Sequence, residues 1–213
     1  METVKLLPIA LNVQDKRCLV VGGGTVAARK AQSLVECGAR VVVIAPAVGA
    51  TFSTTEPRII HVPRPYAAGD GAGFALIFAC TDDKEVNAAV AREAAERGVL
   101  CNVADDAAAS DFHAAAAVRR GDICIGITTS GGSPALARHL KARVEESVGA
   151  EFEQLLDVMS ARRAAVKRDG GQQDNRAAAW NAVLESDVLE LLKAGERERA
   201  EALVDELLQL RNR

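Results

Sequence analysis

Short apolar runs alternate with longer amphipathic stretches along the first half of the chain. Five runs of strand length predict strands, namely Cys18–Val21, Arg40–Ala45, Arg58–Val62, Phe74–Ala79 and Val99–Val103. Helices are predicted between them, from Thr25 to Gly38 and over Lys84–Arg97, and Leu6–Val13 is predicted as a lead-in that pairs at the sheet edge. Strands that alternate with helices build a parallel sheet with helices on its faces, so residues 1–110 predict an α/β domain.

Past residue 110 the pattern changes to that of a hairpin. Asp111–Val118 and Ile123–Thr128 predict two antiparallel strands around a turn at residues 119–122, because isoleucine alternates along the second strand. A two-stranded hairpin is marginal alone, so we expect it to pack on another subunit or on a later helix. Pro134 suits the first position of that helix, with Ser133 as its N-cap. The face predicted to be buried comprises Leu136, Leu140, Val144 and Val148.

The remaining residues, 150–213, predict a charged helical region that supports packing and a dimer. Polar breaks are expected at Arg168–Asn175 and at Ala194-Gly195. The apolar stripe of the last helix comprises Leu203, Val204, Leu207 and Leu208. The predicted fold class is therefore α/β, a Rossmann-like parallel sheet followed by an antiparallel dimerisation hairpin over residues 111–149 and a C-terminal helical region.

Three consecutive glycines join the first strand to the first helix. Gly22, Gly24 and Ala27 have the spacing G-x-G-x-x-G/A of a dinucleotide fingerprint. Glycine lets the backbone turn tightly and lets a phosphate approach it, and a helix that begins at Thr25 offers unpaired N–H groups. The acid that commonly holds the ribose after the second strand is replaced by Ala45–Ala47. On these residues alone a dinucleotide site is favoured, and a nucleotide-like fold without nucleotide stays open.

Polar residues follow two other predicted strands, at the edge of the sheet where ligands bind in open α/β folds. Thr81 and Asp82 follow the fourth strand as a candidate wall of the cofactor crevice. Thr81 or Asp82 is also a candidate cap of the next helix, and the two roles are compatible. Asp105 and Asp106 follow the fifth, which we place centrally in the sheet. One of these carboxylates is a candidate general base, and the alternative is a pair of solvated turn residues.

A second glycine-rich helix entrance lies at Thr128–Ser133. With Arg138 and His139 one turn into the following helix, it is a candidate site for a carboxylate or phosphate, and the alternative is an ordinary capped helix.

Composition excludes several classes of partner and site. A net charge of −3 and 3% aromatic residues give no general basic field and no stacking platform, so we expect no nucleic acid and no membrane as partner. Five cysteines, scattered without a C-x-x-C pair, predict neither a metal site nor a disulfide framework, and they fit a reducing cytoplasm.

Five segments together resemble, in order and spacing, the precorrin-2 dehydrogenase/ferrochelatase domain of the siroheme synthase family. They are LPIALNV, CLVVGGGTVAARKAQSLVECGARVVVIAP, FACTDDKEVN, CNVADD and ITTSGGSPALAR, and they cover about residues 5–150. The resemblance implies a homodimer that oxidises precorrin-2 to sirohydrochlorin with NAD. In some members ferrous iron is then inserted to give siroheme.

The resemblance also assigns roles to residues. Gly22, Gly24, Thr25 and Val26 would hold the pyrophosphate, and Pro46 and Ala47 would line the adenosine side, in a family that similarly lacks the ribose acid. Asp105 matches the acidic residue implicated in both activities. The full set of predicted site residues adds Thr81 and Asp82 for the cofactor, Ser130, Gly131, Ser133 and Arg138 for the substrate, and His113 beside Asp105 at the macrocycle.

One segment departs from the family pattern. After Asp-Phe the family usually has an apolar residue and then Pro-Ala, whereas Asp111-Phe112 is followed here by His113 and three alanines. The chelatase assignment rests on this pocket, so a dehydrogenase without chelatase activity is an alternative. A second alternative is an NAD-sensing regulatory module without substrate chemistry.

Overall fold

The computed structural model describes residues 5–52, 56–168 and 173–209. The strands in these ranges are β1 (Arg17–Val21), β2 (Arg40–Ile44), β3 (Ile59–Val62), β4 (Leu76–Ala79), β5 (Leu100–Val103), β6 (Ala116–Arg120) and β7 (Ile123–Ile127). The helices are α1 (Thr25–Glu36), α2 (Lys84–Arg97), α3 (Pro134–Ser147), α4 (Glu151–Arg168), α5 (Gln173–Leu184), α6 (Val188–Lys193) and α7 (Arg197–Leu207). No helix in the described ranges is long and apolar enough to cross a membrane.

The first five strands form one parallel sheet in the order β3-β2-β1-β4-β5. The chain builds outward from β1 through β2 to β3 and then crosses to the other side of β1 for β4 and β5. The order therefore reverses between β1 and β4, which is the point where open α/β sheets bind ligands beyond the carboxyl ends of their strands. The predicted Rossmann-like sheet is confirmed.

Helices cover both faces of this sheet, as its apolar strands require. All four residues of β4 are buried, in agreement with a strand enclosed on both faces. On one face the core joins α1 to β1, β2 and β4, through side chains such as Ala31, Val20 and Phe78. On the other face, Val90 and Ala94 of α2 pack with buried residues of β1, β4 and β5.

Three sequence predictions about the strands were wrong. Leu6–Val13 forms no strand in the described chain, and Leu7 and Ile9 are exposed. The fifth strand, predicted to be central, lies at the sheet edge beside β4. The first hairpin strand begins at Ala116 rather than Asp111, because the preceding residues instead bond to β5.

The chain after β5 returns along the free edge of that strand. The amide of Cys101 donates to the Asp111 carboxylate at 2.9 Å, and the Asp111 amide donates to the Cys101 carbonyl at 2.8 Å. The Asn102 side chain donates to the Phe112 carbonyl at 2.9 Å. These bonds satisfy an edge that would otherwise stay unpaired, and they fix Phe112 and the neighbouring His113 beside the sheet.

The hairpin itself is present, with a tighter turn than predicted. Strands β6 and β7 pair antiparallel from Ala116 opposite Ile127 to Arg120 opposite Ile123. Two residues, Gly121 and Asp122, remain for the turn, and Gly121 has a φ of 52° that suits it. Arg119 and Arg120, predicted in the turn, lie in β6.

The chain divides into two compact units. One unit runs to Ala114 and includes Thr128–Ser133, and the other contains Ala115–Ile127 and continues from Pro134. The second unit has its own apolar core among α4 to α7, in which Val158, Val188 and Val204 are buried. The predicted break at Ala194-Gly195 separates α6 from α7, whereas residues 169–172 of the other predicted break lie outside the described residues.

One predicted buried face is exposed in the single chain. No residue of α3 is buried among the described residues, and Leu136 and Leu140 are 49% and 40% exposed. The sequence of α3 has the apolar periodicity of a buried face, but the described part of the chain leaves these two leucines exposed.

Candidate active site

The glycine turn after β1 is fixed by close backbone contacts. Gly22 has a φ of 123°, and a Cβ on it would lie 2.4 Å from the Cys80 carbonyl oxygen. A Cβ on Gly23 would lie 1.9 Å from the Ala47 carbonyl oxygen. Neither position has space for a side chain. Gly23 has no place in the fingerprint spacing, so its structural role was missed, although its position inside a run of three glycines is the signal that marks it.

Gly24 differs from its two neighbours because it borders open space. No described atom lies within 4 Å of where its Cβ would be, and its φ of −82° is open to any residue. Among the described residues no side chain caps the start of α1, where backbone N–H groups have no intrahelical acceptor. Thr25 and Val26 open the helix. This arrangement fits the pyrophosphate of a dinucleotide, which requires free N–H groups and close approach to the backbone.

The loop after β2 lies directly against this turn. The Gly49 amide donates to the Gly23 carbonyl at 2.9 Å, and Pro46 and Ala47 are exposed beside it. His61 of β3 hydrogen-bonds the Ala45 carbonyl through Nε2 at 2.9 Å, which anchors the start of the loop. Pro46 and Ala47 thus stand on the β2 side of the crevice, where they were predicted to line the adenosine.

The loop after β4 is held by a side chain that sequence reasoning missed, Asn87 of α2. Its Oδ1 accepts from the amide and hydroxyl of Thr81 at 3.1 and 2.8 Å, and its Nδ2 donates to the Thr81 carbonyl at 2.9 Å. Asn87 is only 6% exposed. An asparagine is a poor choice for a helix interior, and that low propensity is the signal that marks a special role.

The cap of α2 is Asp83, one residue after Asp82 and two residues after Thr81, the predicted candidates. Asp83 Oδ1 accepts from the amides of Glu85 and Val86 at 2.8 and 3.2 Å. Thr81 is instead bound by Asn87, and Asp82 is exposed and carries no capping bond in the described chain. Asp82 therefore remains available on the crevice side of the loop.

The two carboxylates after β5 have different environments. Asp106 accepts from the amides of Ala108 and Ala109 at 3.1 and 3.0 Å, which makes it a turn residue. Asp105 is exposed, no described residue hydrogen-bonds its carboxylate, and its φ is 60°. A non-glycine residue in left-handed backbone is uncommon and is tolerated most readily by Asn and Asp. The environment thus separates a free carboxylate from a structural one.

The second glycine-rich loop lies next to Asp106 and its neighbours. A Cβ on Gly131 would be 3.4 Å from the Ala107 Cβ and 3.9 Å from Cε1 of His113. Ser130 also has a positive φ, 51°. Four described residues other than glycine have a positive φ, and two of them, Asp105 and Ser130, belong to the predicted site. Strained backbone persists where its surroundings impose it, and such residues cluster at ligand sites. The structure thus brings this loop, His113 and the end of β5 together.

Two other predicted substrate residues, Ser133 and Arg138, follow Gly131 in the sequence. Ser133 is held at the end of the loop by its amide, which donates to the Thr129 hydroxyl at 3.1 Å. Arg138 is exposed on α3, in the second compact unit. In the described ranges no group of three or more metal-binding side chains comes together.

The comparisons with known proteins cover both units. A family model described as putative NAD(P)-binding matches residues 9–116, about half of the chain. A second model, described as the sirohaem synthase dimerisation region, matches residues 151–208.

Curated relatives that align with most of this chain are siroheme synthases. Siroheme synthase from Chromobacterium violaceum is 37% identical over 201 residues, which are 93% of this chain and 43% of the relative. Siroheme synthase from Methylococcus capsulatus is 37% identical over 200 residues, 93% of this chain and 42% of the relative. The chain thus spans less than half the length of these relatives.

A solved structure confirms the fold. SirC, precorrin-2 dehydrogenase, superposes with a TM-score of 0.74 at 20% identity, over 94% of this chain and all of that one. The NAD(P)-binding model covers the unit with the glycine turn, and the sirohaem synthase model covers the C-terminal helices. The chain therefore belongs to the siroheme synthase N-terminal family.

Proposed function

We propose that this protein oxidises precorrin-2 to sirohydrochlorin with NAD. Its curated relatives are siroheme synthases, its structural neighbour is a precorrin-2 dehydrogenase, and its first unit matches an NAD(P)-binding model. The observation that carries the proposal is the free carboxylate of Asp105, held in left-handed backbone beyond β5, with the Ser130-Gly131 loop against its neighbours.

The oxidation removes a hydride from a ring carbon and one proton. NAD bound at Gly22–Val26 would accept the hydride. Asp105 is the proposed base for the proton, because an exposed carboxylate without a hydrogen-bonding partner in the described chain is free to face the substrate. Asp106 is not a candidate, since its carboxylate is occupied by two backbone amides.

The crevice residues divide between cofactor and substrate. Thr81, held by Asn87, and the exposed Asp82 form the wall that separates the glycine turn from the end of β5. Ser130, Gly131 and Ser133 are proposed to meet the carboxylates of the tetrapyrrole, together with Arg138. A substrate with eight carboxylates needs local cations in a protein whose net charge is −3.

We also propose that the protein works as a homodimer in the cytoplasm. The match of residues 151–208 to a dimerisation region supports the first part. The five cysteines are all free, which fits the second.

Insertion of ferrous iron into the product is a second candidate activity. One observation favours it, since the imidazole of His113 lies beside the Gly131 loop at the proposed substrate site. An imidazole there is able to take a pyrrole proton or to meet the incoming iron.

The experiment that tests the proposal uses purified protein, precorrin-2 and NAD under anaerobic conditions. NADH should form with sirohydrochlorin, and Asp105→Asn should retain NAD binding but lose turnover by about 100-fold or more, as expected for removal of a general base. Asp106→Asn is the matched control, because its carboxylate serves the turn. Ferrous iron added after NADH formation ends should then give siroheme if the second activity is present.

Two results would overturn the proposal. Normal turnover in Asp105→Asn would show that Asp105 is not the general base. NAD binding without any oxidation of precorrin-2 by the unaltered protein would instead favour an NAD-sensing module.

A further inference from the structure

Lys30 is a half-buried cation that the described chain leaves without an anion. It lies on α1, and its Nζ is 5.5 Å from the centroid of the Phe78 ring. None of the ion pairs or hydrogen bonds formed within residues 5–52, 56–168 and 173–209 includes it. The face of the Phe78 ring compensates part of the desolvation of this cation, but it supplies no hydrogen-bond acceptor and no negative charge.

The surroundings of Lys30 are aromatic and are linked to a residue of the proposed substrate site. Phe78 packs edge to face against Phe112, with ring centroids 5.3 Å apart at 84°. Phe112 is followed by His113, which lies beside the Gly131 loop. The Phe78–Phe112 pair thus connects the ammonium of Lys30 with the segment that carries His113.

A backbone contact places Asp105 in the same neighbourhood, because the amide of the preceding Ala104 donates to the carbonyl of Ala79, next to Cys80, at 2.8 Å. Burial raises the pKa of Cys80 to about 11, while the Lys30 charge acts to lower it and the Asp105 charge to raise it. Burial also lowers the pKa of Lys30. Cys80 is adjacent to the glycine turn, because its carbonyl oxygen blocks a side chain on Gly22. The charges of Lys30 and Asp105 thus both influence the pKa of the same buried thiol, Cys80.

Two kinds of anion are available to Lys30, a cofactor phosphate and a substrate carboxylate. The phosphate seat is at the start of α1, and Lys30 is five residues further on, about 7.5 Å along the helix axis. Its side chain points to β4, which lies on the opposite side of β1 from β2 and the predicted adenosine wall. Because helical side chains lean toward the N-terminus, the distance along the axis does not by itself separate Lys30 from the pyrophosphate. The direction of the side chain toward β4 is what places Lys30 on the substrate side of the crevice.

We infer that Lys30 binds a carboxylate of the tetrapyrrole substrate. This assignment rests on the proposed function, because it needs a polycarboxylate with a flat ring system. A carboxylate supplied by the substrate would pair with the Lys30 ammonium, and the partly exposed Phe112 ring would contact the apolar body to which that carboxylate is attached. Lys30 is then a substrate-binding residue rather than part of the cofactor site.

The test compares Lys30→Met and Lys30→Arg with the unaltered protein. Lys16→Met is the matched control, because it removes the same charge from an exposed position just before β1, at the end of the sheet opposite the carboxyl ends of its strands. Dissociation constants are measured for NAD and, under anaerobic conditions, for sirohydrochlorin. Lys30→Met should weaken sirohydrochlorin binding roughly 10- to 100-fold, as expected for loss of a charged hydrogen bond, and leave NAD binding within about twofold. Lys30→Arg should retain most of the affinity.

Each other outcome contradicts a definite part of the assignment. Unchanged sirohydrochlorin binding in Lys30→Met, while the unaltered protein binds it, overturns the role of Lys30 alone. A parallel loss of NAD affinity would assign Lys30 to a cofactor phosphate. A large fall in the melting temperature of Lys30→Met would make the residue structural, since removal of an unpaired half-buried charge should leave that temperature equal or higher. If the unaltered protein binds no sirohydrochlorin, the proposed function fails as well.

Discussion

At the scale of single residues, the three glycines of the turn serve different ends. Gly22 and Gly23 are required by the fold, because a side chain on either would collide with the backbone of Cys80 or Ala47. Gly24 borders open space and has an ordinary φ. The fold alone therefore does not explain Gly24, whereas a ligand that approaches the backbone at the start of α1 does.

Gly24→Asp should accordingly abolish NAD binding while the protein stays folded. The new carboxylate would occupy the phosphate position and repel it, and we expect a loss of affinity of at least tenfold. Stability should be unchanged or slightly higher, because Asp at an N-cap is at least as favourable as Gly. Titration calorimetry with NAD and a thermal melt check both parts.

Gly22→Ala is the contrasting variant. Its Cβ meets the Cys80 carbonyl oxygen, and its φ disfavours any side chain, so the melting temperature should fall. Equal NAD affinity in Gly24→Asp would contradict the assignment of this turn as the cofactor site.

At the scale of elements, a single carboxylate organises the connection between β3 and β4. Glu93 of α2 accepts hydrogen bonds from Tyr66 at 2.5 Å, from the amides of Gly69 and Gly71 at 2.9 and 3.0 Å, and from Arg97 at 2.8 Å. Burial would raise the pKa of Glu93, but these bonds outweigh burial and lower it below the ordinary value of 4.5. The charged form of Glu93 thus stabilises the loop against α2.

Glu93→Gln should lower the free energy of unfolding by about 1–3 kcal/mol at pH 7, since hydrogen bonds to a charged acceptor are lost. Because the pKa of Glu93 is lower in the folded than in the unfolded state, its contribution is complete above pH 4.5 and is lost as the pH falls through the folded-state pKa. The difference between the two proteins should therefore shrink in acid.

Urea denaturation at a series of pH values measures this difference. Glu96→Gln, an exposed position on the same helix, is the control and should change stability little at any pH. A Glu93→Gln difference that stays constant from pH 7 to pH 3 would show that the carboxylate charge has no part in it.

The same element scale shows what the sequence was able to predict. Helix α2 was predicted at its observed bounds, because Gly98 ends it in left-handed backbone with a φ of 65°. The strands of the parallel sheet were located to within two residues, since buried runs are continuous. The hairpin start was wrong because Asp111 is bound by Cys101, ten residues away, and such tertiary bonds leave no local pattern.

The candidate site was predictable to a similar extent. The glycine turn has the fixed spacing of a known fingerprint, so Gly22 and Gly24 were identified from the sequence. The assignment of Asp105 came from the family resemblance. Asn87 was not singled out. Lys30 was one of several cations noted beside the predicted loops, but only Arg138 was chosen for the site, because a lysine in a charged helix looks like a surface residue until its partners in space are known. The edge position of β5 depends on strand order, which a list of strands does not contain.

At the scale of the whole molecule, part of an apolar face of α3 stays exposed among the residues that the structure describes. Leu136 and Leu140 are 49% and 40% exposed, although their spacing is that of a buried stripe. Helix α3 packs against β6 and β7 within the second compact unit, the unit that contains the matched dimerisation region. A second copy of the chain is the expected cover for this face and for the hairpin.

The protein should therefore be a dimer at micromolar concentration with the hairpin in its interface, and Cys124 offers a direct measurement. Cys124 is exposed on β7, whereas Cys18, Cys80 and Cys101 are buried. Alkylation of Cys124, followed by mass spectrometry, should be slow in the dimer and should accelerate on dilution to the monomer.

Leu140→Lys should weaken the dimer in light scattering and speed the alkylation at micromolar concentration, because a charge on that face must be desolvated on association. Ile60→Lys, which is 61% exposed on β3, is the control and should do neither. A monomer at micromolar concentration, or an alkylation rate that does not depend on protein concentration, would contradict the prediction.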